Sequence, residues 1–187
     1  IAYRNLVKAV WEEVRTGPTT GTERLIAGAT AGFDPVFLKY LMTDGYPKYY
    51  DGISIHFWPE AMGESPEKNS LPEVLDAWRT MMLDHGLRSK ETWITEIGWP
   101  TMPGGVTEEE QANYLVRAYT IALAKGISKV FWNNLIDEEQ IPWAGESDAH
   151  MGLMDTQLRP KPGFAAYNLM NFMLAQLKFQ GLQRYGK

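Results

Sequence analysis

Glu96 is the residue whose surroundings point most directly to chemistry. It lies near the end of the apolar run Thr92-Trp93-Ile94-Thr95-Glu96-Ile97, which Gly98, Trp99 and Pro100 terminate. A carboxylate among such neighbours must be paired, hydrogen-bonded or functional, because an isolated buried charge is strongly unfavourable. A structural ion pair and a catalytic role both meet that requirement. Side chains alternate along a strand, so Glu96 is expected to share a face with Ile94 and Thr92, leaving Trp93, Thr95 and Ile97 to face a helix layer. His56 is the second candidate. In Tyr50-Asp51-Gly52-Ile53-Ser54-Ile55-His56-Phe57 it shares a small and polar face with Gly52 and Ser54, opposite Ile53, Ile55 and Phe57.

Trp58, Trp99, Trp132 and Trp143 all fall at or after the ends of apolar runs, which gathers four of the seven tryptophans on one expected rim. Indole faces match the C–H faces of sugar rings, and carbohydrate pockets combine such platforms with polar groups that read hydroxyls. One tryptophan alone reads equally well as a cap on the core, whereas four together favour a sugar cleft.

The other titratable residues read as structural or solvated. His56, His85 and His150 share no metal-ligand spacing, and His85 beside Gly86 suits a helix end, so no metal site is expected. Glu108, Glu109 and Glu110 fill a first helical turn, where the macrodipole favours acids. Glu60, Glu64, Asp137, Glu138 and Glu139 lie in loops and read as solvated.

Composition narrows the class. The chain has 187 residues, 44% hydrophobic and 22% charged, enough apolar content to bury a core as one domain. A net charge of -5 without any Lys/Arg run gives no footprint for nucleic acid. No apolar stretch has the roughly 20 residues that cross a bilayer, so no membrane partner is expected. The absence of cysteine excludes disulfides, thiol catalysis and thiolate metal sites. Compartment stays open, a secreted or periplasmic one being slightly favoured. The first residue is Ile1 rather than Met, so sequence upstream is expected to have been removed or left out.

The elements follow from periodicity. Tyr3, Leu6, Val7, Val10, Trp11 and Val14 mark a helix, and residues 25–30 read as a short buried strand. A helix over 35–43 precedes the strand at 50–57. Leu71, Val74, Leu75, Trp78, Met81 and Met82 form the stripe of a third helix that stops at Gly86. After the strand at 92–97, Thr107 and Glu110 have capping-box spacing, and Ala112, Leu115, Val116, Tyr119, Ala122 and Leu123 form that helix's stripe. A strand at 129–135 and a helix with Pro162 in its first turn complete the order α-β-α-β-α-β-α-β-α. Such repeats imply a parallel sheet with helical crossovers. Four units are too few for an eight-stranded barrel of about 250 residues. The chain is therefore an open α/β sheet or half a barrel, and the glycine-rich phosphate loop of many open sheets is missing.

Trp93-Ile94-Thr95-Glu96-Ile97-Gly98-Trp99-Pro100-Thr101 resembles the seventh-strand motif of the large clan of retaining (β/α)8-barrel glycoside hydrolases. Tyr50-Asp51-Gly52-Ile53-Ser54-Ile55-His56 resembles the sixth strand and Phe131-Trp132 the eighth. Gly152-Leu153 followed by Arg159-Pro160-Lys161-Pro162-Gly163-Phe164-Ala165-Ala166-Tyr167 is similar to the lead into the last helix. The resemblance spans residues 3–174 and is closest in tone to the xylosidase- and iduronidase-like branch.

The resemblance implies that the chain supplies strands 5–8 and helices 4–8 of one TIM-barrel catalytic domain, residues 1–187 being its C-terminal half. It implies Glu96 as nucleophile, His56 beside it, Trp132 as the floor of the sugar subsite, and a cis Trp132-Asn133 peptide bond. Trp58, Trp99 and Trp143 join as substrate-binding candidates, with an oligosaccharide or glycoside as substrate and no cofactor. The clan's general acid/base, a Glu after an Asn on strand 4, has no counterpart here, because no Asn-Glu pair occurs. It is expected upstream of Ile1, in a missing N-terminal half that would be the chain's partner, and the chain alone is expected to be inactive. The alternative is a noncatalytic carbohydrate-binding or assembly module on a half-barrel scaffold. A flavodoxin-like domain would need a phosphate or flavin loop that the sequence lacks.

Overall fold

A computed structural model of the protein describes residues 2–17, 23–138, 146–175, 177 and 180. The elements follow the expected order: α1 (Ala2–Thr16), β1 (Ile26–Gly28), α2 (Pro35–Met42), β2 (Gly52–Phe57), α3 (Leu71–Asp84), β3 (Glu91–Ile97), α4 (Glu108–Ala124), β4 (Lys129–Trp132) and α5 (Pro162–Leu174). Two short 3-10 turns, Tyr46–Tyr49 and Glu146–His150, lie between them. The strands form one parallel sheet in the order β1-β2-β3-β4, as expected when each strand returns through a helix.

The chain divides into two compact units. The first comprises Ile1–Trp58, Glu73–Ile97 and Ile127–Phe131. In it, β2 pairs with β1 and β3, and Ile53, Ile55, Ile94 and Ile97 are fully buried. Trp78 of α3 packs with them, and its indole N–H donates to Thr92 Oγ1 at 2.9 Å. This bond satisfies a polar atom that burial would otherwise penalise. β1 is shorter than the expected 25–30 because Gly28 and Ala29 both have positive φ, 109° and 59°. A Cβ on Gly28 would lie 2.3 Å from the Ser54 carbonyl oxygen, so only glycine fits there. Asp34 caps α2 by accepting from the N–H groups of Val36 and Phe37. Arg4 of α1, 6% exposed, donates to Asp44, Tyr40 and Thr43 and tethers its helix to the end of α2.

The second unit comprises Pro59–Pro72, Gly98–Gly126 and Trp132–Lys187. Thr107 and Glu110 form the full capping box of α4. The buried stripe of α4 is Gln111, Leu115, Ala118, Tyr119 and Ala122, whereas Leu123 of the expected stripe is 39% exposed. The stripe turns toward Gln111 because that amide reaches two backbone carbonyls, of Trp99 at 2.9 Å and Met151 at 3.5 Å. α4 packs on α5, with Tyr119 and Tyr167 edge to face at 5.6 Å. The outer side of α5 leaves Leu169, Phe172 and Met173 exposed.

Candidate active site

Glu96 reaches its site through a β-bulge. Ser54 pairs with Trp93 and Ile55 with Ile94, but His56 pairs with Glu96, so Thr95 is an extra residue in β3. This corrects the alternation read from sequence. Thr92 and Ile94 lie on the side of Ile53, Ile55 and α3, and Trp93 lies on the side of Gly52, Ser54 and His56. Trp93 accordingly packs against Phe131 in a tilted arrangement, ring centroids 5.8 Å apart and 35° between planes, with Lys129 Nζ 4.3 Å from the centre of its ring. The inserted residue moves Glu96 onto that same small and polar face, and Ile97 returns to the buried side. The expected faces of Glu96 and Ile97 stand, while those of Thr92, Trp93 and Ile94 are exchanged.

The bulge brings Glu96 and His56 together. His56 Nδ1 lies 3.0 Å from Glu96 Oε2, with the imidazole 12% exposed and the carboxylate 40% exposed. Glu96 is therefore partnered on one oxygen and open to solvent, a geometry suited both to an ion pair and to a reactive carboxylate. Thr95 Oγ1 is buried and makes no hydrogen bond. Trp58 follows β2 and is partly exposed.

The tryptophans of the second unit differ in what they present. Trp99 is fully buried, and its indole N–H donates to the Glu64 carbonyl at 2.9 Å. It has no open face for a sugar, which removes it from the candidate platforms. It underlies Trp132 instead, the two rings stacking at 6.1 Å with 26° between their planes. Trp132 is partly exposed and donates its indole N–H to the Met151 carbonyl at 2.9 Å. Trp143 lies outside the described residues. The cis peptide bond is Asn133-Asn134 rather than Trp132-Asn133, one residue beyond the expected position and past the end of β4.

Two residues escaped the sequence reading. Asp137, read there as solvated, is only 9% exposed and pairs with Lys161 at 2.6 Å. Lys161 is itself 4% exposed and also donates to Thr101 Oγ1 at 2.7 Å. Buried lysine is tolerated only when paired, but the pairing spans 24 positions and leaves no local signal. Among the described residues no cluster of His, Asp or Glu is arranged to hold a metal.

The fold is shared with solved glycoside hydrolases. A family 39 glycoside hydrolase from the gut symbiont Bacteroides cellulosilyticus WH2 superposes with a TM-score of 0.75 at 24% identity, over 98% of this chain and 40% of that one. A family 17 β-1,3-glucanosyltransferase from Rhizomucor miehei gives 0.62 at 19% identity, over 88% and 57%. A GH2 β-galacturonidase from Eisenbergiella tayi gives 0.66 at 20% identity, over 97% and 32%. No family model matches the chain, and neither does any curated protein sequence. The four β/α units thus have the fold of part of a glycoside hydrolase TIM barrel. The chain spans between about a third and three fifths of the length of these three structures.

Proposed function

We propose that these residues are the C-terminal half of a retaining glycoside hydrolase barrel in which Glu96 is the nucleophile. The observation that carries this reading is the His56–Glu96 contact at the ends of two paired strands, with the carboxylate open to solvent. Chemistry in such barrels gathers at the C-terminal ends of the strands. With its proton on Nδ1, His56 donates to Oε2 and orients the carboxylate, leaving Oε1 to attack the anomeric carbon. As the C–O bond to the leaving group breaks, its oxygen takes a proton from the acid/base Glu. Water then attacks the glycosyl-enzyme, with the same Glu acting as base. Retention needs the two carboxyl groups about 5 to 5.5 Å apart.

The acid/base is assigned to polypeptide outside these residues, since the chain has no Asn-Glu pair. The exposed apolar side of α5 suits association with further polypeptide. Trp132 and Trp58, both partly exposed, remain as the sugar platforms. An activated 2-fluoro glycoside tests the nucleophile, because its leaving group departs without acid help and the intermediate accumulates. In the assembled enzyme, the peptide containing Glu96 should gain the sugar's mass, and Glu96→Gln should abolish both labelling and turnover while preserving the fold. Full hydrolysis by that variant would reject the assignment. Sugar binding without labelling would favour the noncatalytic module.

A further inference from the structure

The peptide unit between Met151 and Gly152 is held from both sides. Its carbonyl accepts the Trp132 indole N–H at 2.9 Å, and its N–H donates to Asp137 Oδ1 at 2.7 Å. The two groups of a trans peptide point in opposite directions, so this single plane spans the gap between the indole and the carboxylate. Turning the plane would break both bonds together. The preceding peptide is also fixed, because the His150 carbonyl accepts from Thr101 through its N–H at 2.9 Å and its hydroxyl at 3.2 Å.

Both anchors converge on one ammonium. Lys161 Nζ lies 2.6 Å from Asp137 Oδ2 and 2.7 Å from Thr101 Oγ1. Its own N–H donates to the Leu153 carbonyl at 2.9 Å, which extends its hold to the next residue. The site leaves no slack at Gly152, where a Cβ would lie 2.2 Å from the Asp137 nitrogen. Trp132 therefore rests on Trp99 through one ring face and is fixed in its plane by a carbonyl whose neighbours on both sides answer to Lys161.

We infer that Lys161 and Asp137 are positioning residues for Trp132, acting through the Met151–Gly152 peptide. The use of that positioning, presenting an indole to a sugar, rests on the function proposed above, whereas the positioning itself does not. A buried ion pair adds little net stability against apolar residues of similar volume, yet it dictates geometry, and a sugar platform depends on its angle.

Fluorine NMR of the 187-residue chain labelled with fluorotryptophan reads Trp132 directly, its line being assigned by loss in Trp132→Phe. The double variant Asp137→Leu/Lys161→Met removes the ion pair without stranding a charge. It should stay folded and keep the Trp78 line, with a lowered melting temperature because the Gly152 N–H loses its acceptor, while displacing or broadening the Trp132 line. Thr101→Val, which cuts one link and keeps the ion pair, should shift the Trp132 line by a smaller amount. A Trp132 line unmoved in either folded variant overturns the inference. The functional reading fails by a different result, an unchanged KM for Trp132→Ala in the assembled enzyme.

Discussion

His56 and Glu96 occupy paired positions on β2 and β3, and their side chains meet at 3.0 Å. The meeting depends on the extra residue at Thr95, because without it Glu96 would lie opposite His56 across the sheet. A polar pair on adjacent strand ends gives the imidazole a specific task, which a kinetic experiment can measure.

Replacing His56 with Phe keeps the bulk and removes the donor. In the assembled enzyme kcat should fall by about 10²-fold, the usual cost of losing one preorganised donor at a reacting centre. KM should change little, and 2-fluoro glycoside labelling of Glu96 should slow in parallel. A kcat within twofold of the parent would leave the contact as a structural ion pair.

The 187-residue chain by itself should not hydrolyse alkyl glycosides or oligosaccharides, since the leaving alkoxide then departs without a proton donor. Addition of the complementary half should restore turnover. Robust activity of the chain alone, lost on Glu96→Gln, would mean that a carboxylate within these residues serves as acid, with Glu60 after Trp58 the first to replace.

Thr107 closes the capping box of α4, accepting from the Glu110 N–H at 3.1 Å while Glu110 Oε2 accepts from the Thr107 N–H at 2.9 Å. Thr107→Ala should lower stability by about 1 kcal/mol, read as a shift of the urea midpoint at unchanged slope. Thr107→Ser should recover most of it.

Asp155 accepts from the N–H groups of Arg159 and Gln157 at 2.9 Å each, and from the Arg159 guanidinium at 2.6 Å. The Arg159 backbone bond, with the guanidinium and Gln157 assisting, holds its carboxyl below the ordinary aspartate value of 3.8. The charged form is thus favoured by folding. Its contribution is complete above pH 3.8 and disappears as pH falls toward the lowered folded value. Asp155→Asn should therefore lose stability near neutrality and show a shallower acid limb below that value, measured as melting temperature against pH.

The order of the elements, the parallel sheet and the place of Glu96 at a strand end were legible in the sequence. Each depends on local rules: apolar spacing, a capping box at Thr107 and Glu110, and glycines at Gly86 and Gly126 after two helices. Period-two reading fails at Thr95, because a bulge exists only in relation to the partner strand and leaves no mark in its own residues. The tryptophans divide for a similar reason. Trp99 and Trp132 have the same intrinsic preference for a partly wet site, and only packing made one a buried support and left the other partly exposed. Asp137 and Lys161 look like ordinary surface charges along the chain. Folding removes both from water, and the desolvation each would suffer alone forces the pairing at 2.6 Å.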